Sequence, residues 1–244
     1  MQNLLSRHIE PCINPHLSLE HPELDIHLTL GATFGTDQAV FESIASGLEE
    51  RGVVILPGVV PLDITSSLQQ EFSRLGAPAF KRAGIGRGQA QSVNGFVRRD
   101  RIHWIDESSQ YSSVWLDWAD ALRLYLNRRL FLGLFSFESH FAVYEPSAFY
   151  KRHIDAFRGE ANRVLSVVVY LNQGWAPDQG GELVIYEDDG DHSVRVTPEM
   201  GTLVVFLSEE FPHEVLPATR SRYSVAGWYR LNTSAALEQI DPPQ

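Results

Sequence analysis

The sequence predicts an α+β protein, with helices packed on one face of a mainly β core. Two observations carry that expectation. Up to about residue 130 apolar residues recur at helical spacing, and from Phe135 onward short β-rich runs alternate with turn signals. A third observation bounds the size: 244 residues make one sizeable domain with helical additions and are short for two. Hydrophobic residues at 43% and charged residues at 21% are ordinary for a globular chain, so a core should fold.

Residues 1–36 read as an N-terminal extension, with scattered His and Pro and no sustained period. Asp37 is a candidate N-cap for a helix in which Phe41, Ile44, Ala45 and Leu48 share a face, ending near Gly52. Val53–Leu56 is an apolar run of strand type, closed by Pro57-Gly58. A second helix is predicted from about Pro61 to Leu75, with Leu62, Leu68 and Phe72 inward. Residues 79–96 are rich in Gly, Gln, Ser and Arg and read as a mobile loop. Gly84, Gly86 and Gly88 lack both the spacing and the preceding strand of a phosphate loop. Asn94-Gly95 predicts a hairpin turn. A third helix fits Tyr111–Arg129, with Val114, Trp115, Trp118, Leu122 and Leu126 on one side.

Strands then fit 140–144, 164–171, 182–186, 194–196, 202–206 and 223–231. Regular short strands of this kind suggest a barrel or sandwich. Residues 232–244 read as a frayed tail. One folded domain is thus expected over 37–231, with its β core at about 138–231.

Lys and Arg total 20 against 31 Asp and Glu, a formal charge of −11. An acidic surface repels phosphate backbones, so nucleic acid is a disfavoured partner. The basic stretch from Lys81 to Arg101 reads as a solvated loop. Cys12 stands alone, which predicts no internal disulfide and fits a reducing cytoplasm. No apolar run approaches a membrane span, and no basic-then-apolar start marks a secretory signal. A cytoplasmic monomer with no membrane partner is expected.

The chemistry concentrates in Phe149-Tyr150-Lys151-Arg152-His153-Ile154-Asp155. Residues two apart on a strand face the same side, so His153 and Asp155 can converge on one ion. His213, sixty residues later, can supply a third ligand. Two His and one carboxylate leave three positions of an octahedron open, as in non-haem Fe(II) oxygenases. Nine residues on, Arg222 opens a strand-like run, and a buried guanidinium needs a carboxylate. That carboxylate belongs either to a bound ligand or to a structural Asp or Glu.

HxD, a distant His and an Arg nine positions later resemble the double-stranded β-helix (jelly-roll, cupin-like) 2-oxoglutarate oxygenases. Val164–Asn172 followed by Gly180-Gly181-Glu182-Leu183 is similar to their prolyl 4-hydroxylase branch. Arg98-Arg99-Asp100-Arg101-Ile102-His103-Trp104-Ile105 resembles a segment of hypoxia-inducible-factor prolyl hydroxylases. The resemblance covers about residues 40–231 in order and is strongest over 138–231. It implies Fe(II) held by His153, Asp155 and His213, with 2-oxoglutarate and O2 as cosubstrates and ascorbate as a stimulant. It implies Arg222 and Tyr170 at the far carboxylate of 2-oxoglutarate and Tyr144 beside the cosubstrate near the metal. It implies Tyr150 and Trp228 as walls for a substrate proline, Arg163 as a substrate-side cation paired with Asp100, and Arg98 beside them. Residues 81–96 fall where the family carries a substrate-covering loop. The implied reaction is hydroxylation of a prolyl residue in a protein, at C4, giving succinate and CO2. Elongation factor Tu is the target implied by bacterial relatives.

Two departures stand out. Arg99 replaces the family's Gly, and residues 1–36 have no counterpart. Rival readings are hydroxylation of a free amino acid or other small molecule, and a β-barrel module that binds without catalysis. Asp155 argues against a halogenase, and Trp228 stands where nucleic-acid demethylases of this superfamily place a second Arg. Each aromatic has a plainer role as core, and Arg163 with Asp100 as a structural ion pair. His103, His140 and His192 read as structural or surface residues, with His140 near the proposed pocket.

Overall fold

The helical and alternating apolar periods resolve into helices backing two antiparallel sheets in the computed structural model, which describes residues 36–84, 95–156, 162–187 and 192–232. Helix α1 (Thr36–Arg51) buries Phe41, Ile44, Ala45 and Leu48, as the period predicts. Gly52 ends it at φ +73, where a Cβ would press on Leu207 and Phe211, so a side chain there would be both strained and crowded. Helix α2 (Leu62–Leu75) turns Ile64 and Leu68 inward and packs Phe72 on the core. Leu62 does not face in; it is 78% exposed. The inward stripe runs through 64, 68 and 72, and position 62 lies about 200° round the helix from 64. Helix α3 (Gln110–Leu130) starts at Ser109, whose hydroxyl accepts from the Tyr111 N–H, and buries Trp115, Trp118, Leu122 and Leu126.

The strands are β1 (Val53–Leu56), β2 (Lys81–Arg82), β3 (Arg101–Trp104), β4 (Ser136–Tyr144), β5 (Tyr150–His153), β6 (Arg163–Tyr170), β7 (Leu183–Tyr186), β8 (Ser193–Val196), β9 (Leu203–Leu207), β10 (His213–Val215) and β11 (Arg222–Arg230). The larger sheet runs β1-β9-β6-β11-β4-β3-β2 and the smaller β5-β10-β7-β8. Strands β2, β3, β5 and β10 are absent from the strands expected above. They are two to four residues long, too short to show a period. Strand β2 lies inside the expected loop, of which residues 85–94 fall outside the described residues; so does the Asn of the expected Asn94-Gly95 turn. The expected extension and tail also lie outside them, apart from Thr36 and Asn232.

The period of two in the larger sheet sorts the interior. Phe141, Val143, Leu165, Val167, Val169, Leu203, Val205, Val225 and Tyr229 point to the helices and join their buried faces in one cluster. Ala142, Tyr144, Tyr170, Val204 and Phe206 point the other way and pack against Leu183, Ile185, Val196 and Val215 of the smaller sheet. Two facing antiparallel sheets with helices on the outer face of one make a double-stranded β-helix core. The even-numbered residues 138–144 of β4, 166–170 of β6 and 222–228 of β11 therefore face the space between the sheets. No described helix is long and apolar enough to cross a membrane.

Candidate active site

Between the sheets opens a cavity of about 690 Å³. Its polar groups fall into three sets.

The first is a cluster of ligand atoms. Strand pairing sets His153 of β5 directly opposite His213 of β10. Asp155 lies two residues beyond the last regular residue of β5. A continuous strand therefore does not bring it to His153, as alternation suggested; a bend does. Asp155 Oδ1 is 3.6 Å from His153 Nε2, and Oδ2 is 3.7 Å from His213 Nε2. Ligand atoms of all three lie within 4.8 Å of one another. His153 Nδ1 is 2.8 Å from the Lys151 carbonyl and His213 Nδ1 is 3.0 Å from the Phe211 carbonyl. A carbonyl only accepts, so each Nδ1 carries the proton and each Nε2 presents a lone pair toward Asp155. Burial lowers the His213 pKa to about 4, outweighing the nearby Asp155, and keeps the ring in its ligating form. Burial pushes the Asp155 carboxyl up, but His213, His153 and the Ser166 hydroxyl together hold it well below the usual carboxylate range. Two imidazoles and a carboxylate suit a divalent first-row metal such as Fe(II).

The second set lies at the other end of the inner face. Arg222 is 1% exposed, and no carboxylate partners it among the described residues. Its Nε donates to the Gly181 carbonyl at 2.8 Å and one terminal nitrogen to Ser224 Oγ at 3.2 Å. Gly181 has φ +76, and a Cβ there would meet Trp175, Ala218 and the Arg222 stem, which accounts for a Gly in this pair. Tyr144 and Tyr170 flank the guanidinium, with ring centroids 5.0 and 4.9 Å from its carbon. Tyr170 Oη is buried with no hydrogen-bond partner. Burial raises its pKa to about 12 against the pull of Arg222, so it stays a neutral donor. Burial raises Tyr144 further. A guanidinium fork without a carboxylate and an unused hydroxyl beside it fit the far carboxylate of 2-oxoglutarate.

The third set forms a wall. Tyr150 stacks on His153 at 3.5 Å between centroids, and the Arg98 guanidinium lies 4.6 Å from the centroid of the same Tyr150 ring. Trp228 donates its indole N–H to Asp155 Oδ2 at 2.9 Å and carries Arg163 3.7 Å over its ring. The expected Arg163–Asp100 pair does not form. Asp100 is taken by Arg98, in two hydrogen bonds of 2.5 and 2.8 Å. Arg163 instead pairs with Glu138 at 2.7 Å, because Glu138 stands opposite Trp228 on β4 and within reach of a guanidinium lying over that ring.

His140, Glu138, Ser166 and Ser208 belong to this neighbourhood without having been singled out from motifs, apart from His140's expected place near the pocket. His140 lies between Trp104 and Trp228, with centroids 5.1 and 5.5 Å away. Burial and then Arg98 lower its pKa to about 4. Once the strands are placed, parity finds three of the four: positions 138, 140 and 166 share the inner face with 142, 144 and 170.

The 2OG-Fe(II) oxygenase superfamily matches residues 139–230. Human prolyl hydroxylase EGLN3 is 30% identical over 191 residues, spanning 74% of this chain and 74% of that protein. A Pseudomonas putida prolyl-4-hydroxylase superposes with TM-score 0.71 at 41% identity, covering 78% of this chain and 98% of that one. A Trichoplax adhaerens prolyl hydroxylase, solved with a hypoxia-inducible-factor oxygen-degradation-domain peptide, gives TM-score 0.71 at 27% identity, covering 83% and 94%.

Proposed function

The chain belongs to the 2OG-Fe(II) oxygenase superfamily, in its prolyl-hydroxylase branch, and from that premise we propose how its residues divide the work. It is an Fe(II)- and 2-oxoglutarate-dependent dioxygenase that hydroxylates a prolyl residue in a protein substrate. His153, Asp155 and His213 would hold the iron; Arg222 and Tyr170 would hold the far carboxylate of 2-oxoglutarate. The iron and cosubstrate supply the oxidant for an unactivated C–H bond, using O2 and releasing succinate and CO2.

The protein's part is placement. A metal held by three protein ligands would keep room for the oxoacid and O2. The inner face of the larger sheet carries both Arg222 and Trp228 on β11, the latter donating to Asp155. Burial of Arg222 and Tyr170 strengthens their hold and excludes water. Tyr144 flanks the cosubstrate. Tyr150 and Trp228 wall the proline, and Arg98, Asp100 and Arg163 border the peptide. The ring is hydroxylated at C4, and the substrate is a cytoplasmic protein, with elongation factor Tu the first to try.

One observation carries this reading: a fully buried arginine with no carboxylate partner among the described residues, beside a buried tyrosine hydroxyl with none, in the cavity that the metal ligands share. A buried cation without a counter-charge is costly, and a dicarboxylate with one end on the metal removes that cost. The partner is tested by capture with a His153→Ala variant, followed by mass mapping of the captured proteins after treatment with the active enzyme. A one-oxygen increase on a specific proline is expected. Oxygen added to no protein, with turnover of a free amino acid instead, overturns the protein-substrate assignment.

A further inference from the structure

Trp228 and Ser166 are cross-strand partners on the inner face of the larger sheet. Both donate to the same atom, Asp155 Oδ2, from 2.9 Å for the indole nitrogen and 2.7 Å for the hydroxyl. A third residue backs the second donor. Ser208 Oγ lies 2.9 Å from Ser166 Oγ, and since Ser166 gives its proton to the carboxylate, Ser208 donates to Ser166. Ser166 and Ser208 are 2% and 0% exposed, so no water competes for these bonds.

Asp155 needs this help more than the histidines do. Each imidazole is fixed by a bond from its own Nδ1 to a carbonyl two residues back. Asp155 stands past the end of β5, where no ladder hydrogen bond fixes the backbone. A free carboxylate can also bind a metal through both oxygens, which would close one of the three positions that the cosubstrate and O2 require. Two charge-assisted hydrogen bonds on Oδ2 leave Oδ1 as the better metal ligand.

We propose that Trp228 and Ser166, backed by Ser208, are positioning residues that clamp Asp155 Oδ2 and so hold Asp155 as a one-oxygen ligand through Oδ1. Trp228 thereby has a role beyond walling the substrate. The inference rests on the assignment of the metal to His153, Asp155 and His213.

The test reads metal binding rather than turnover. Mn(II) is titrated into the metal-free full chain, followed by electron paramagnetic resonance, in four proteins: wild type, Ser166→Ala, Trp228→Phe and Ser166→Thr. Trp228→Phe keeps an aromatic ring and removes the indole N–H together with part of the ring system. Ser166→Ala and Trp228→Phe should each weaken Mn(II) binding by about tenfold to a hundredfold, the usual cost of losing an outer partner of a metal ligand. Ser166→Thr, which restores a hydroxyl, should recover most of the affinity. Thermal melting of the metal-free proteins shows whether Ser166→Ala has only loosened the sheet; if it has, Trp228→Phe reads the same clamp from the other strand. Wild-type Mn(II) affinity in folded Ser166→Ala or in Trp228→Phe overturns the clamp. Failure of the wild-type protein to bind Mn(II) would instead overturn the metal assignment beneath it.

Discussion

The two sheets divide the site unequally. The smaller sheet supplies both histidines from strands of four and three residues, and its outer strand β8 exposes two of its four residues. The larger sheet supplies Arg222, Tyr170, Tyr144, Trp228 and Ser166 from strands of eight or nine residues, backed by the helical core. The difference teaches that metal capture and cosubstrate anchoring sit on structures of different rigidity. The sheet with the dry helical backing fixes distance and orientation, while the thinner sheet brings ligands whose geometry is finished by local hydrogen bonds.

The sharpest break comes from separating the two sheets' functions. His213→Ala should abolish turnover and metal uptake together, with folding retained, as checked by metal titration and circular dichroism. Arg222→Met should keep metal uptake and raise the KM for 2-oxoglutarate on the order of a hundredfold to a thousandfold, since it removes one member of a buried charge pair. If Arg222→Met lost metal and cosubstrate equally, the division between the sheets would be wrong.

Stability should follow the same line. Leu165 is 0% exposed in the helix-backed core, so Leu165→Ala should cost about 3 kcal/mol in denaturant unfolding. Val194, on the outer strand of the smaller sheet, is half-buried, and Val194→Ala should cost about 1 kcal/mol or less. Tyr170→Phe, which removes one hydroxyl, should raise the KM for 2-oxoglutarate about tenfold, the worth of one hydrogen bond to a charged group.

The smallest effect is a dependence on pH in the helical layer. Glu71 of α2 is buried and paired with Arg74 at 2.6 Å, with Ser109 donating to it at 2.5 Å. The Arg74 bond, opposed by burial and aided by Ser109, holds its pKa below the usual value. A carboxylate lowered in the folded state contributes stability above its unfolded pKa, and that stability is lost as pH falls through the folded pKa. Melting curves of Glu71→Gln should therefore show less loss on acidification than wild type.

Much of this was legible from spacing. His153, Asp155, His213 and Arg222 share one cavity, and helices α1 and α3 turn their expected apolar residues to the core. What escaped depends on contacts between distant strands. Strands β5 and β10 carry the histidines yet are too short to show a period; their pairing with each other, and that of β10 with β7, defines them. Leu62 was misplaced because one apolar residue in a first turn fits either face. Arg163 found Glu138 rather than Asp100 because strand register, which a linear pattern does not contain, sets Glu138 opposite Trp228. Ser166 and Ser208 carry no motif and matter only through the carboxylate they help to place.

The central claim is most directly tested by measuring succinate and hydroxyproline together. The purified enzyme is supplied with Fe(II), 2-oxoglutarate and a broad set of proline-containing peptides, including segments of elongation factor Tu. The account predicts equal amounts of succinate and hydroxyproline, both abolished by omitting either Fe(II) or 2-oxoglutarate. Neither product appearing across that set, from protein shown to bind its metal, would contradict it.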